Sequence, residues 1–413
     1  MMKRIYLDHA ATTPVDPRVK KAMESFWSGN FGNPSSLYKE GRDAKRAMNT
    51  ARTDIAKIIG AKNDEIIFTS GGTESNNLAI LGATFRKGLS FVAPQRTVLC
   101  ELNSQAGSDA GSKSKRFNPH IITTKIEHHS VLNPIKFLEK QGVDVTWLDV
   151  GKEGVVDPKE VEKALKPNTI LVSIMYANNE IGTIQPIREI GKILRKHKAI
   201  FHTDACQAAG YLDLNIEKLG VDLMTVNGSK MYGPKGVGFL YIKRNTKLAP
   251  IMYGGEQEKG LWPGTENVPA IIGLAEAFKI AQKEKNKEVK RLTNLRDYFI
   301  KRITKEIPKT FLNGHAQNRL PNNVNVSVLG TEGEAVVLYL DERGISCSTG
   351  SACSSASLEP SHVIMALKKP HEYGHGSLRF TLGRKTTKQE IDYVMKILPK
   401  VVAKLRSISA IKI

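Results

Sequence analysis

A chain of 413 residues with 40% hydrophobic side chains can bury a substantial core, and its length points to two domains in one compact subunit. The formal net charge of +20 comes from lysines spread along the chain, many on amphipathic segments such as 187–198, with no nucleic-acid recognition motif beside them. Direct nucleic-acid binding is therefore not expected; solvated surface, or attraction to acidic partner proteins, is.

The opening residues Met1-Met2-Lys3-Arg4 run into Ile5-Tyr6-Leu7-Asp8-His9 with no apolar stretch behind the charge. Neither a secretory signal nor a membrane span fits, so a cytoplasmic protein without membrane contact is the expectation. The four cysteines, at 100, 206, 347 and 353, form no C-x-x-C pair and no even framework. Free thiols follow, one of them a candidate for reactivity.

From about 65 to 242, strand-like apolar runs alternate with helical patterns. Ile66-Ile67-Phe68 leads through Gly71-Gly72 to a helix beginning near Glu74, and Ile121-Ile122 precedes a helix over about 131–140. Asp157-Pro158-Lys159-Glu160 carries the N-cap, first-turn proline and capping carboxylate of a helix start, and Lys166-Pro167 closes it. Buried strands are expected over 169–176, 199–202, 223–226 and 237–242. That rhythm is an α/β layer with a mostly parallel sheet.

The stretch 89–117 breaks the rhythm. Its Gln105-Ala106-Gly107-Ser108-Asp109-Ala110-Gly111 segment is too polar and glycine-rich to bury, which predicts a flexible surface insertion with Cys100 as an incidental passenger. Beyond about Gly264 the pattern becomes a long charged helix over 270–307, strands around 324–328 and a last helix near 388–405. This reads as a smaller α+β domain.

Three segments point to chemistry. Val221-Asp222-Leu223-Met224-Thr225-Val226-Asn227-Gly228-Ser229-Lys230 puts a lysine at the end of a buried strand, before the turn Met231-Tyr232-Gly233-Pro234. Schiff-base chemistry with an aldehyde cofactor wants such a partly desolvated amine, although on this segment alone a lysine merely beside a turn is the better reading. Phe201-His202-Thr203-Asp204 ends a second strand on an acid, which gains nothing from an apolar sheet unless it faces a cation such as a protonated pyridine nitrogen. Thr69-Ser70-Gly71-Gly72-Thr73-Glu74-Ser75 is a strand, a glycine turn and a helix start, a place for phosphate on backbone N–H groups. One glycine turn is weak evidence; three such ends on one sheet are not.

Together these segments resemble fold-type I pyridoxal-phosphate enzymes, and within them the group I cysteine desulfurases. The resemblance runs from Tyr6-Leu7-Asp8-His9-Ala10-Ala11-Thr12-Thr13-Pro14 to Ser377-Leu378-Arg379-Phe380-Thr381-Leu382-Gly383-Arg384 and breaks mainly at the 89–117 insertion. It implies a large cofactor domain over 14–262 with a mostly parallel seven-stranded sheet, and a small α+β domain from 1–13 and 263–413. It also implies pyridoxal 5′-phosphate as cofactor, a homodimer, and L-cysteine as substrate, converted to L-alanine and an enzyme persulfide. Iron-sulfur scaffolds or tRNA-thiolation proteins would receive the sulfur.

Residue by residue, the resemblance makes Lys230 the Schiff-base lysine and general base, and Asp204 the partner of the pyridine nitrogen. His128, in Lys125-Ile126-Glu127-His128-His129, would stack on the cofactor ring and assist proton transfer, with His129 structural. Asn179 and Gln207 would bond the ring hydroxyl, Gly72 and Thr73 the phosphate, and Thr265 would reach in from the second subunit. Many family members carry serine and histidine where this chain has Asn227 and Ser229, both still able to donate a hydrogen bond to phosphate. Arg379, with its planar fork, and Asn33, in Gly32-Asn33-Pro34-Ser35, would bind the substrate carboxylate.

The segment Ser346-Cys347-Ser348-Thr349-Gly350-Ser351-Ala352-Cys353-Ser354-Ser355-Ala356 begins a catalytic loop over 346–360, and its small residues suit a thiol that must swing between substrate and acceptor. The group I motif selects Cys353 as nucleophile; Cys347 is either a packed small hydrophobe, the favoured reading, or a backup thiol. A related lyase or aminotransferase and a non-catalytic sulfur-transfer scaffold are the competing functions. No metal is expected: His371-Glu372-Tyr373-Gly374-His375 has the H-E-x-x-H spacing, but Pro370 before it and Gly374 and Gly376 within reach predict that no helix forms there.

Overall fold

The computed structural model describes residues 4–86, 118–350 and 360–408. The expected insertion 89–117 with its Cys100, and Cys353 with most of its loop, lie outside the described residues.

Seven strands make the main sheet, in the order Ile66–Thr69, Gly238–Ile242, Leu223–Asn227, Ile200–Asp204, Thr169–Ser173, His120–Thr124 and Asp144–Leu148. All neighbours run parallel except Gly238–Ile242, which is antiparallel to both of its partners. Thr169–Ser173 and His120–Thr124 are buried at every residue, because helices cover both faces of a parallel sheet; this is why their sequences read as continuous apolar runs rather than alternation. The C-terminal ends of the parallel strands form one edge, and Asp204 and Asn227 are the last residues of their strands. Thr69 and Asn227 both pair with Gly238, which brings the turn after Ile66–Thr69 to that same edge.

A second core gathers Val324 and Val326 of Asn323–Val328, Leu378 and Phe380 of Ser377–Thr381, and Val394 and Leu398 of the helix Lys388–Ile408. The chain's start belongs to it: Ile5–Tyr6 pairs in parallel with Ile345–Ser346. The helix Val268–Glu306, 39 residues and so about 58 Å long, gives Leu274 and Phe278 to the first core and Phe299 and Ile303 to the second. One beam thus spans both, with Asn267 capping its start through the Ala270 N–H.

One expectation fails. His371–His375 does form a helix, a single turn entered through Pro370 and ended by Gly376. Pro370 precedes the turn, where a proline costs no hydrogen bond, and a glycine at its end terminates rather than prevents it. His375 there lies 3.7 Å from Glu332.

Candidate active site

Lys230 is held by a turn that the chain's start clasps. The Asn227 side chain accepts from the Ser229 N–H at 3.1 Å, tightening Gly228–Lys230 into one 3-10 turn. Thr13 then bonds this turn from both sides, its N–H to the Ser229 carbonyl and its Oγ1 accepting the Tyr232 N–H at 2.7 Å. Tyr232 sits at φ +65°, a strained value for a tyrosine, held by the Arg384 guanidinium 4.3 Å over its ring and the Arg384 N–H on its hydroxyl. Lys230 Nζ points back to the Ala11 carbonyl at 2.5 Å.

Asp204 faces the same cavity. Its Oδ2 accepts from Asn76 Nδ2 at 2.7 Å and its Oδ1 from the Cys206 N–H at 2.9 Å, so a donor fixes each oxygen in place. His128 caps the helix His129–Lys140, its Nδ1 accepting the Ser130 N–H at 3.1 Å. Burial is the chief cause that pushes the His128 imidazole below the ordinary histidine range, against the pull of Asp204. His129 turns away to His362, with ring centroids 4.9 Å apart. Glu127, one residue before, is wholly buried; it accepts from Thr124 Oγ1 and the Met175 N–H, and burial pushes its carboxyl up to about 8.

Gly72 and Thr73 line the cavity and open the helix Gly72–Phe85, whose first N–H groups have no intrahelical acceptors. A Cβ on Gly72 would come within 2.8 Å of Cys206 Sγ, so a side chain there would have to displace the sulfur.

Arg379 is 2% exposed, its Nη2 on Asp8 at 2.8 Å and its Nη1 on the Asn179 carbonyl at 3.1 Å. Its buried Nε has no partner among the described residues. Two backbone hydrogen bonds strap Ser348, at the start of the candidate cysteine loop, to Arg379. Cys347 just before it is packed in the second core, and burial raises its thiol far above the ordinary range.

The cavity therefore brings together Gly72, Thr73, His128, Asn179, Asp204, Gln207, Asn227, Lys230 and Arg379. Gln207 lies along its wall with Nε2 on the Ala10 carbonyl at 3.0 Å. Three expected residues do not line it. Ser229 turns its hydroxyl to Asn227 Oδ1 at 3.2 Å and acts as a buttress. Asn33 is exposed and binds its own turn through the Ser35 N–H, and Thr265 is exposed on this chain's surface. Residues that sequence reasoning passed over also line the cavity, notably Asn76 and Ser130. A clue existed for Asn76: an asparagine on the core-facing side of an otherwise small and apolar helix has to be satisfied by something.

These residues fit pyridoxal phosphate. An amine, a carboxylate and an imidazole converge, N–H groups at a helix start stand ready for phosphate, and Asn76 Oδ1 is buried with no partner among the described residues. Among the same residues no cluster of His, Cys, Asp or Glu is disposed to hold a metal ion.

The aminotransferase class-V family matches this chain over residues 5–106 and 108–394. Cysteine desulfurase IscS of Dictyoglomus turgidum is 50% identical over 412 residues, covering 100% of this chain and 98% of that protein. Cysteine desulfurase IscS of Methanosarcina thermophila is 48% identical over 407 residues, covering 98% and 94%. Among solved structures, a NifS-like protein superposes with a TM-score of 0.85 at 33% identity, covering 97% of this chain and 100% of that one.

Proposed function

As this chain belongs to the aminotransferase class-V family and is a cysteine desulfurase that uses pyridoxal 5′-phosphate, we propose that it moves sulfur from L-cysteine to Cys353 with the residues of the cavity in the following roles. When bound, the cofactor supplies an electron sink conjugated to the substrate α-carbon. Lys230 anchors it and takes the α-proton on Nζ. Asp204, oriented by the donors on both its oxygens, would face the pyridine nitrogen and favour a proton there. His128 covers the ring face and handles a proton with its free nitrogen, while the first N–H groups of Gly72–Phe85, with Thr73 and Asn227, receive the phosphate. Asn179 and Gln207 orient the ring hydroxyl.

Arg379 offers the N–H groups that Asp8 and the Asn179 carbonyl leave over to the substrate carboxylate. The strap between Ser348 and Arg379 ties the start of the cysteine loop to that same strand, which supports a thiol delivered to the bound substrate's sulfur. The products balance as L-alanine and a Cys353 persulfide: one sulfur atom passes to Cys353 Sγ, and the methyl group of alanine takes up the proton and electron pair left behind.

The carrying observation is the convergence of Lys230, Asp204, His128 and Arg379 on one cavity at the strand ends. We further propose a cytoplasmic homodimer in which the exposed Thr265 completes the partner's phosphate site, and in which iron-sulfur scaffolds or tRNA-thiolation proteins take the persulfide sulfur. No helix among the described residues is long and apolar enough to cross a membrane. The test is incubation with L-cysteine, quantifying alanine and mapping the added sulfur by mass spectrometry. Alanine without sulfur on Cys353 would overturn the assigned thiol, and neither product would overturn the reaction.

A further inference from the structure

Between the two groups that flank the cofactor, Asp204 and His128, lies a continuous chain of hydrogen bonds through two residues to which no role has been given. Asn76 Nδ2 donates to Asp204 Oδ2 at 2.7 Å and to Ser130 Oγ at 2.8 Å, and Ser130 Oγ lies 2.7 Å from His128 Nδ1. Asn76 is 1% exposed and Ser130 7%, so these contacts are largely shielded from bulk water.

The direction of every bond is forced. Asp204 accepts on both oxygens, so the Asn76 group beside it has to be the NH₂ and not the carbonyl oxygen; reversing the amide would set oxygen against carboxylate. That NH₂ spends its second hydrogen on Ser130 Oγ. Ser130 Oγ keeps a second lone pair, so its contact with His128 Nδ1 takes its direction from the ring. The ring's state is set by the Ser130 backbone N–H, which can only donate and points at Nδ1 at 3.1 Å, so the hydroxyl donates to the same nitrogen. With two donors aimed at it, Nδ1 carries no proton.

We propose that Ser130 and Asn76 are positioning residues that hold neutral His128 with its proton on Nε2 and couple the imidazole to Asp204 through a directed hydrogen-bond chain. The consequence for a ring stacked on the cofactor is a fixed orientation and a single nitrogen, Nε2, free for proton exchange. Their service to catalysis rests on the proposed reaction; the tautomer does not.

The full chain as purified, labelled with ¹⁵N at its histidine side chains, tests this by two-bond ¹H–¹⁵N correlation, with His128 identified as the signal lost in His128→Gln. The expected wild-type pattern is an unprotonated Nδ1 and a protonated Nε2; a proton on Nδ1 overturns the proposal. Titration supplies the second readout. Burial, Lys230 and His129 disfavour the imidazolium, while Asp204 and Glu180 favour it, and none of these is altered by Ser130→Ala. Since the Ser130 hydroxyl stabilises the neutral ring, its removal is expected to raise the His128 midpoint by about half to one pH unit. Ser130→Thr, which keeps a hydroxyl, is expected to restore it.

Asn76→Ala frees that hydroxyl to rotate, and its effect and that of Ser130→Ala are expected to be non-additive. An unchanged midpoint in Ser130→Ala, or strictly additive shifts, overturns the chain. Turnover of cysteine is expected to fall about fivefold in Ser130→Ala. A wild type that makes no alanine yet shows the Nε2 proton would sink the reaction and leave the hydrogen-bond assignment standing; the reverse pattern would do the opposite.

Discussion

Arg379 meets Asp8 across the seam between the chain's first residues and the strand Ser377–Thr381, with Nη2 2.8 Å from Oδ1 and the guanidinium almost wholly buried. Breaking such a pair leaves a buried charge uncompensated, at a cost of about 3 kcal/mol. Asp8→Asn is therefore expected to unfold at lower urea, and to be stabilised more by L-alanine than the wild type is, because a ligand carboxylate replaces the missing anion. Equal ligand shifts in both proteins would mean that Arg379 does not receive the carboxylate.

Lys230→Ala removes the Nζ contact to the Ala11 carbonyl but leaves the turn itself, since Thr13 bonds the backbone of Ser229 and Tyr232. The variant should fold and form no measurable alanine from cysteine. Circular dichroism with an alanine assay checks both halves, and substantial alanine would remove Lys230 from the mechanism.

Much of this arrangement could be read from the sequence. The strand ends at Asp204 and Asn227, the glycine turn before the helix at Gly72 and the long helix after 268 all follow from local signals, because hydrophobic runs, caps and glycine turns act over a few residues. Contacts between distant segments could not be read so. Nothing local in Ser130 announces that it bonds Asn76, 54 residues earlier in the chain, and Asn33 in its turn looks as available as Arg379 until burial separates them. The failed expectation at His371–His375 is of a third kind, in which breaker residues were weighed by their presence and not by their position at the ends of the turn.

Glu127 gives the protein a pH dependence with a definite sign. Its carboxyl, ordinarily near 4.5, is pushed up to about 8 by burial. Below pH 4.5 both folded and unfolded states hold the proton. Between 4.5 and about 8 only the folded state does, so stability falls as pH rises through that window, by on the order of 5 kcal/mol in all. Glu127→Gln cannot ionise, and its stability relative to the wild type should improve steadily from pH 5.5 to 8.5. Urea unfolding of both proteins at several pH values measures the difference, and parallel curves would refute the buried proton.

Gly72 and Cys206 are coupled by space. A methyl group on Gly72 would meet Cys206 Sγ at 2.8 Å, with Asn227 the next neighbour at 3.5 Å. Gly72→Ala is expected to cost about 1–3 kcal/mol and to lower cofactor retention. Cys206→Ala clears the sulfur from that spot, so the double variant should be more stable than the sum of the two single changes predicts. Strict additivity in a double-mutant cycle would show that the crowding is relieved elsewhere.

The surroundings of Cys347 do not suit a nucleophilic thiol. A nucleophile has to ionise, which calls for an exposed or electropositive setting, whereas a packed thiol keeps its proton. Cys347 is 9% exposed in the second core, and burial, with Asp8 adding to it, raises its thiol far above the working pH. Its neighbour Ser348 is bonded to Arg379 through both backbone groups, so the segment is held in place where Cys347 sits. Cys347→Ser is accordingly expected to keep most of its alanine formation while losing about 1–2 kcal/mol of stability, the cost of burying a hydroxyl where a thiol had packed. Cys353→Ser should still bind cysteine, seen as a change in cofactor absorption, yet give neither persulfide nor appreciable alanine. Assaying both variants with cysteine and mapping sulfur by mass spectrometry decides the matter: sulfur on Cys347, or normal turnover without Cys353, would take the nucleophile's role away from Cys353.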